Sequence, residues 1–265
     1  MNQLPILTHQ NHPNIRFRVW REPEPTLHYA IGLDPAGESE LGHPGVMQVW
    51  CDRPRMLCLE VRGNVSEEEW AHQMYYVGRW YNWAYLNAEV YALGRLIRGY
   101  LLYGNASYGI PADRSYPNLY IMPTIGDIRA GRHFPSGKRF FYESTPATRK
   151  FLFDVIKEAV AELADGDEKN PIPDTDFITD ELDNLIVNFR NSRDEAAPGA
   201  TDDRIIAMGL AWLIFKQEPY DYSGSLNQDR QPKEGIDEQG KFFINVERTY
   251  EDSQWEVNKG KVIYG

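Results

Sequence analysis

The sequence predicts an α/β fold: a mixed sheet of three antiparallel strands and then parallel ones, with helices on both faces. Three observations predict it. Three short apolar runs, His28 to Asp34, Val46 to Cys51 and Met56 to Val61, follow one another before any helical periodicity. From Ser66 the apolar spacing changes from the strand period to the helical one. Beyond that point strand-like and helix-like segments alternate. A three-strand meander ahead of the first helix excludes a doubly wound sheet, which alternates from its first element.

Each element has its own signal. Residues 1–26 are polar and broken by Pro5, Pro13, Pro23 and Pro25, the texture of an arm or linker. The first apolar run ends in Asp34 and is stopped by Pro35-Ala36-Gly37. Asp52-Arg53-Pro54-Arg55 reads as the turn between the second and third runs. Ser66-Glu67-Glu68-Glu69 has the pattern of a capping box. Trp70, Met74, Val77 and Tyr81 then fall on one helical face. Ala84 to Val90 is a fourth strand carrying Glu89 near its end, Leu93 to Tyr103 a helix, and Leu119 to Met122 a fifth short strand. Residues 124–143 read as a hairpin or long loop with a basic tip. Helices follow from Thr145 to Ala164, from Thr179 to about Phe189, and from Ile205 to Phe215, the last opened by Thr201-Asp202-Asp203. Phe242 to Val246 fits a last strand. This order, β-β-β-α-β-α-β and then helices, is that of an RNase H-like domain. The chain therefore divides into an arm at 1–26, an RNase H-like domain at 27–216 and a tail at 217–265 with room for an edge strand.

Composition narrows the function. A chain of 265 residues with 42% hydrophobic and 13% aromatic residues can bury a core and is not globally disordered. No apolar run approaches the ~20 residues that cross a bilayer, and the N-terminus lacks a secretory signal, so a soluble, intracellular protein is expected. The two cysteines, Cys51 and Cys58, have no Cys or His pair to complete a zinc site and read as buried thiols. The net charge of −11 speaks against strong nucleic-acid binding unless a local basic patch provides it.

Three positions carry acids where chemistry is plausible: Asp34 and Glu89 at the ends of strands one and four, and Asp203, with Asp202 beside it, at the start of the last strong helix. Each has an ordinary structural reading. Asp34 can be a turn residue, and Asp202 and Asp203 can cap their helix. Glu89 is harder to explain, because a glutamate in an apolar strand needs a partner. Their joint placement is the argument. Neighbouring strands one and four, pointing the same way, bring two acids together, and the helix start adds the others. Such a cluster suits Mg²⁺ or Mn²⁺, which prefer carboxylate oxygens, and one or two such ions serve phosphodiester hydrolysis.

The motifs resemble those of the C-terminal nuclease domain of tailed-bacteriophage large terminases. Tyr29-Ala30-Ile31-Gly32-Leu33-Asp34-Pro35-Ala36-Gly37 resembles a strand ending in G-x-D-x-A-x-G. Tyr81-Asn82 through Leu86, then Glu89 and Gly94, resembles the second motif, Tyr116 to Tyr120 the strand that follows, and Ala200 to Ala207 the closing motif with its paired aspartates. The resemblance runs from about Tyr29 to Phe215. It implies an endonuclease that cuts double-stranded viral DNA during genome packaging by a two-metal mechanism. Asp34, Glu89 and Asp203 would be catalytic metal ligands and Asp202 a ligand or a partner of one, with Mg²⁺ or Mn²⁺ as cofactor. It also implies weak, non-specific DNA binding, a terminase ATPase domain, portal and small terminase as partners, and the cytoplasm of an infected bacterium as location.

The sequence departs from the family in two places. Where the family has a second acid after the first motif, this chain has Gly42-His43-Pro44-Gly45, so either His43 stands in for the acid, as a ligand or behind the ligands, or a second metal is held more weakly. The histidine before the paired aspartates is Thr201 here. No phosphate-binding G-x-x-x-x-G-K-[ST] loop occurs, so the ATPase is expected on a preceding domain outside this chain. Arg129, Arg132, Lys138 and Arg139 are the expected DNA guide. The tail is read either as a portal or capsid contact or as an edge cover for the domain. Two alternatives stay open: a non-catalytic RNase H-like module docking on a portal or capsid partner, and another RNase H-like enzyme such as a junction resolvase or transposase core.

Overall fold

The structure is a computed structural model. It describes residues 14–36, 44–90, 94–111, 116–123, 140–164, 180–183 and 201–216, and short strands at 233–236, 242–245 and 262–263. The chain separates into two compact units, Met1–Glu218 and Pro219–Gly265.

The first unit is built on a five-stranded mixed sheet. Its strands are β1 (Ile15–Val19), β2 (Tyr29–Asp34), β3 (Gly45–Cys51), β4 (Met56–Gly63) and β5 (Tyr85–Ala88), in the spatial order β1-β4-β3-β2-β5. β2, β3 and β4 form the expected antiparallel meander, and β5 lies parallel to β2. The helices are α1 (Glu67–Trp80), α2 (Gly94–Tyr103), α3 (Pro146–Ala164) and α4 (Asp203–Lys216). The second unit contains a three-stranded antiparallel sheet of β6 (Lys233–Ile236), β7 (Phe242–Asn245) and β8 (Val262–Ile263).

Strand alternation sorts the residues onto two faces. Ile31, Leu33, Met47, Val49, Leu59, Val61, Leu86 and Ala88 share one hydrophobic core with Trp70, Met74 and Val77 of α1 and Ile97 and Leu101 of α2. The other face carries Gly32, Gln48, Glu60 and Asn87, which are cross-strand partners in register. α4 lies on this second face. Asn87 Nδ2 donates to the Leu210 carbonyl at 3.0 Å, and Trp50 meets Trp212 edge-on at 4.7 Å between ring centres. α4 is buried almost throughout, from Ile205 to Ile214, because it has the sheet below it and α3 packed beside it.

Ser66 caps α1 by accepting from the Glu69 amide at 3.3 Å, as the capping pattern predicts, while the Glu69 carboxylate accepts from Gln73. Asn82 holds the α1 exit against the chain before β2, donating to the carbonyls of Glu24 at 2.7 Å and Leu27 at 3.0 Å.

Three elements differ from expectation. Within the segment read as an arm, Ile15–Val19 is an edge strand paired with β4, its Ile15 and Phe17 turned to the core. The fourth strand ends at Ala88, and Glu89 continues only as a single bridge to Tyr142. Leu119 to Met122 forms isolated bridges, Leu86 to Leu119 and Ile121 to Phe140, rather than a strand. Of the helix expected from Thr179, residues 180–183 are described and helical. Cys51 and Cys58 are buried free thiols, as expected. Among the described residues no helix is long and apolar enough to cross a membrane.

Candidate metal centre

The register of the sheet sets the site. β2 and β5 run parallel with Gly32 beside Asn87 and Leu33 beside Ala88, so their next residues, Asp34 and Glu89, lie at the same edge. The Glu89 amide still donates to the Leu33 carbonyl at 3.2 Å, which holds the start of the loop to β2.

Two close backbone approaches position these acids. A Cβ on Gly32 would lie 1.9 Å from the Ala207 carbonyl oxygen, so only glycine lets α4 lie flush on β2 two residues before Asp34. A Cβ on Gly94 would lie 1.8 Å from the carbonyl oxygen of Glu89, so the start of α2 packs directly on the Glu89 backbone. The turn after Asp34 is held from α1, where Trp70 Nε1 donates to the Ala36 carbonyl at 3.1 Å.

Asp34 keeps some opening to solvent, yet its carboxyl is enclosed enough for burial to raise its pKa well above the usual carboxylate range. The charges of Glu89, Asp203 and Asp202 push it further in the same direction. The other three acids selected from the sequence thus act on the Asp34 carboxyl. Among the described residues, no three His, Cys, Asp or Glu side chains stand ready to hold one metal ion. The donor chemistry nevertheless fits a divalent cation. Carboxyls crowded together disfavour one another's ionised form, and a hard divalent ion satisfies their oxygens without protonation.

The paired aspartates are relieved of the capping role that sequence alone allows them. Glu181, from the helical turn at 180–183, accepts from the amides of Arg204 and Ile205, each at 3.1 Å, and from the Thr201 hydroxyl at 3.3 Å. These amides are the second and third of α4, the donors that a capping side chain normally satisfies. Asp202 instead accepts from Arg149 of α3 at 3.0 Å. Burial raises the Glu181 carboxyl to about 7 against the opposing pull of the Ile205 amide. Close by, Glu60 is 1% exposed and takes Arg204 at 3.0 Å and Gln48 at 3.3 Å.

Sequence reasoning missed Glu181, Arg149, Glu60, Asn87 and Arg62 as neighbours of the centre. Asn87 and Glu60 carried a readable signal, a polar residue within a strand-like run. His43, Arg129, Arg132, Lys138 and Arg139 lie outside the described residues.

The chain is similar to phage large terminase nucleases. It aligns with the large terminase nuclease from thermophilic phage G20c at 15% identity and a TM-score of 0.46, over 74% of this chain and 87% of that one. For the same nuclease with bound magnesium the identity is 17%, the TM-score 0.47, and the coverage 74% and 86%. For the Thermus phage P74-26 large terminase nuclease domain the values are 16%, 0.42, and 74% and 84%. The G20c nuclease has also been solved with bound zinc and with bound cobalt. No protein-family model and no curated protein matches the chain.

Proposed function

We propose that this chain is a divalent-metal-dependent endonuclease that cuts double-stranded DNA during viral genome packaging in the bacterial cytoplasm. One observation carries the reading: the Asp34 carboxyl is buried among Glu89, Asp203 and Asp202, which all disfavour its ionised form. A buried, mutually repelling carboxylate set costs stability unless it serves a cation. The motif resemblance adds the reaction class.

In this proposal Asp34, Glu89 and Asp203 are the metal ligands, and Asp202, held by Arg149, is a further ligand or a partner of one. Mg²⁺ or Mn²⁺, as one or two ions, supplies the charge that activates water and stabilises the departing oxygen. The protein's own contribution is placement. Parallel β2 and β5 set Asp34 and Glu89 side by side, Gly94 fixes the Glu89 backbone, and Glu181 takes over the capping of α4. The terminase motor, portal and small terminase are the partners this role implies.

The test is nicking of supercoiled plasmid in Mn²⁺ or Mg²⁺. The parent cuts with little sequence preference. Asp34→Ala and Glu89→Ala lower the rate by a thousandfold or more, to background, and both still melt cooperatively. A variant that cuts at the parental rate overturns the site. The second reading, a non-catalytic docking module for a portal or capsid protein, is favoured by the net charge of −11 and expects no cutting with any divalent ion.

A further inference from the structure

The face of the sheet that carries Asp34 has a second feature, one row of cross-strand partners long. Arg16 of β1 stands opposite Arg62 of β4, Arg62 opposite Val46 of β3, and Val46 opposite Asp34 of β2. Directly opposed residues point to the same face of a sheet, so both arginines share the face of the acids. The next row holds Arg18, Glu60, Gln48 and Gly32, and there an acid stands between the arginine and the acid edge. The first row has none. Two like charges facing each other across a strand pair are unfavourable, and this pair has no carboxylate between its members.

Neither arginine is held in a direct pair, although the charges of Glu60, Glu181 and Asp203 act on Arg62 from a distance. Among the described residues, Arg16 and Arg62 make no ion pair and no side-chain hydrogen bond, whereas Arg204 is engaged by Glu60. Arg62 Nε is shielded from solvent without an acceptor. An unmet, shielded guanidinium donor costs free energy that a phosphate oxygen recovers, through a charge-assisted and geometrically matched bond. Arg16 is exposed, and α4, which covers β2, β3 and β5, makes no comparable cover over β1.

Spacing completes the argument. Neighbouring strands lie about 4.8 Å apart, so Arg62 stands roughly 10 Å and Arg16 roughly 14 Å from the Asp34 position along one line. On a chain with 39 acidic and 28 basic residues, a backbone-binding surface needs cations aligned locally rather than a general positive field.

We propose that Arg62 and Arg16 form a phosphate track that holds the DNA backbone on the sheet face leading away from the acid centre. The track rests on the nuclease reading for its ligand, a phosphodiester strand. It contacts phosphates and reads no bases. It also gives the edge strand β1 a purpose beyond shielding β4.

The experiment is binding of the full chain to a short labelled duplex in Ca²⁺ buffer across a salt series, beside plasmid nicking in Mn²⁺. Each lost phosphate contact lowers the slope of log affinity against log salt by about 0.9. Arg16→Ala and Arg62→Ala each lower it by that amount, the double variant by about twice as much, and Arg62→Lys restores most of it. Arg18→Ala, in the neighbouring row, leaves the slope as it was. Thermal melts accompany every variant, and Arg16, being exposed, supplies the test should Arg62→Ala fail to fold. Parental slopes in Arg16→Ala and in the double variant, or an equal drop in Arg18→Ala, overturn the track while cutting by the parent upholds the nuclease. Slopes that fall as described, in a parent that never cuts, uphold the track and overturn the nuclease. A parent that binds no duplex overturns both.

Discussion

Glu181 occupies a position that the chain's own sequence order hides. It lies 22 residues before Asp203, yet its carboxylate takes the two amides that an N-cap side chain would take. Removing it leaves those donors unmet. Glu181→Ala is expected to cost about 1 kcal/mol, the usual worth of a helix cap, measured by denaturant unfolding. It should also let Asp202 or Asp203 turn back to cap α4, weakening metal-induced stabilisation beyond the loss of fold stability. Its pH behaviour has a definite sign. The carboxyl rises from the ordinary 4.5 to about 7 in the folded chain, so between these values the folded state holds a proton the unfolded state has released. Stability from this group is full below about pH 4.5 and is lost as pH rises through about 7. Asp34, also raised, acts in the same direction. Glu181→Gln keeps an acceptor for the amides but cannot titrate, so its melting temperature should fall less than the parent's between pH 5 and 8 without metal. Equal falls would remove Glu181 from the account.

At the scale of elements, the site is made by close approaches that side-chain bulk would forbid. Gly94→Ala puts a Cβ against the Glu89 carbonyl, and backbone cannot yield cheaply. The expected result is a loss of about 1–3 kcal/mol of stability, the range for overpacking, with a disproportionate fall in cutting because Glu89 itself is displaced. Parental activity in a folded Gly94→Ala chain would mean that the Glu89 backbone is not critical. The same approaches explain what the sequence made legible. Asp34 could be placed because an apolar run, an acid and a proline-glycine stop are local signals. The parallel partner β5 could be placed because its position after α1 suits a crossover. β1 was hidden although Ile15-Arg16-Phe17-Arg18-Val19 alternates cleanly, because the flanking prolines dominate the composition of the first 26 residues. The roles of Glu181 and Arg149 were out of reach for a different reason. Their partners lie across the chain, at separations of 24 and 53 residues, and no local pattern encodes such a pairing.

Across the whole molecule, acids exceed bases by 11, and a cluster of them converges on the end of β2. Both facts make the metal-free chain less stable than its core would allow, since repulsion within the cluster is relieved only by protonation or by a cation. A ligand that binds only the folded chain stabilises it by about 2.7 kcal/mol at a hundred times its dissociation constant. For a domain of roughly 200 residues that is a rise of about 5–10 °C in melting temperature. Mn²⁺ should therefore raise the melting temperature of the parent at neutral pH. Asp34→Asn should melt higher than the parent without metal, because one buried repelling carboxyl is gone, and should lose the Mn²⁺ response. The two shifts must reverse together, since the carboxyl that destabilises the empty cluster is the one proposed to hold the ion. A docking module that keeps these acids for structure alone would show neither effect. A melt with no Mn²⁺ response in the parent, and no gain in Asp34→Asn, would reduce the cluster to an ordinary end of a mixed sheet.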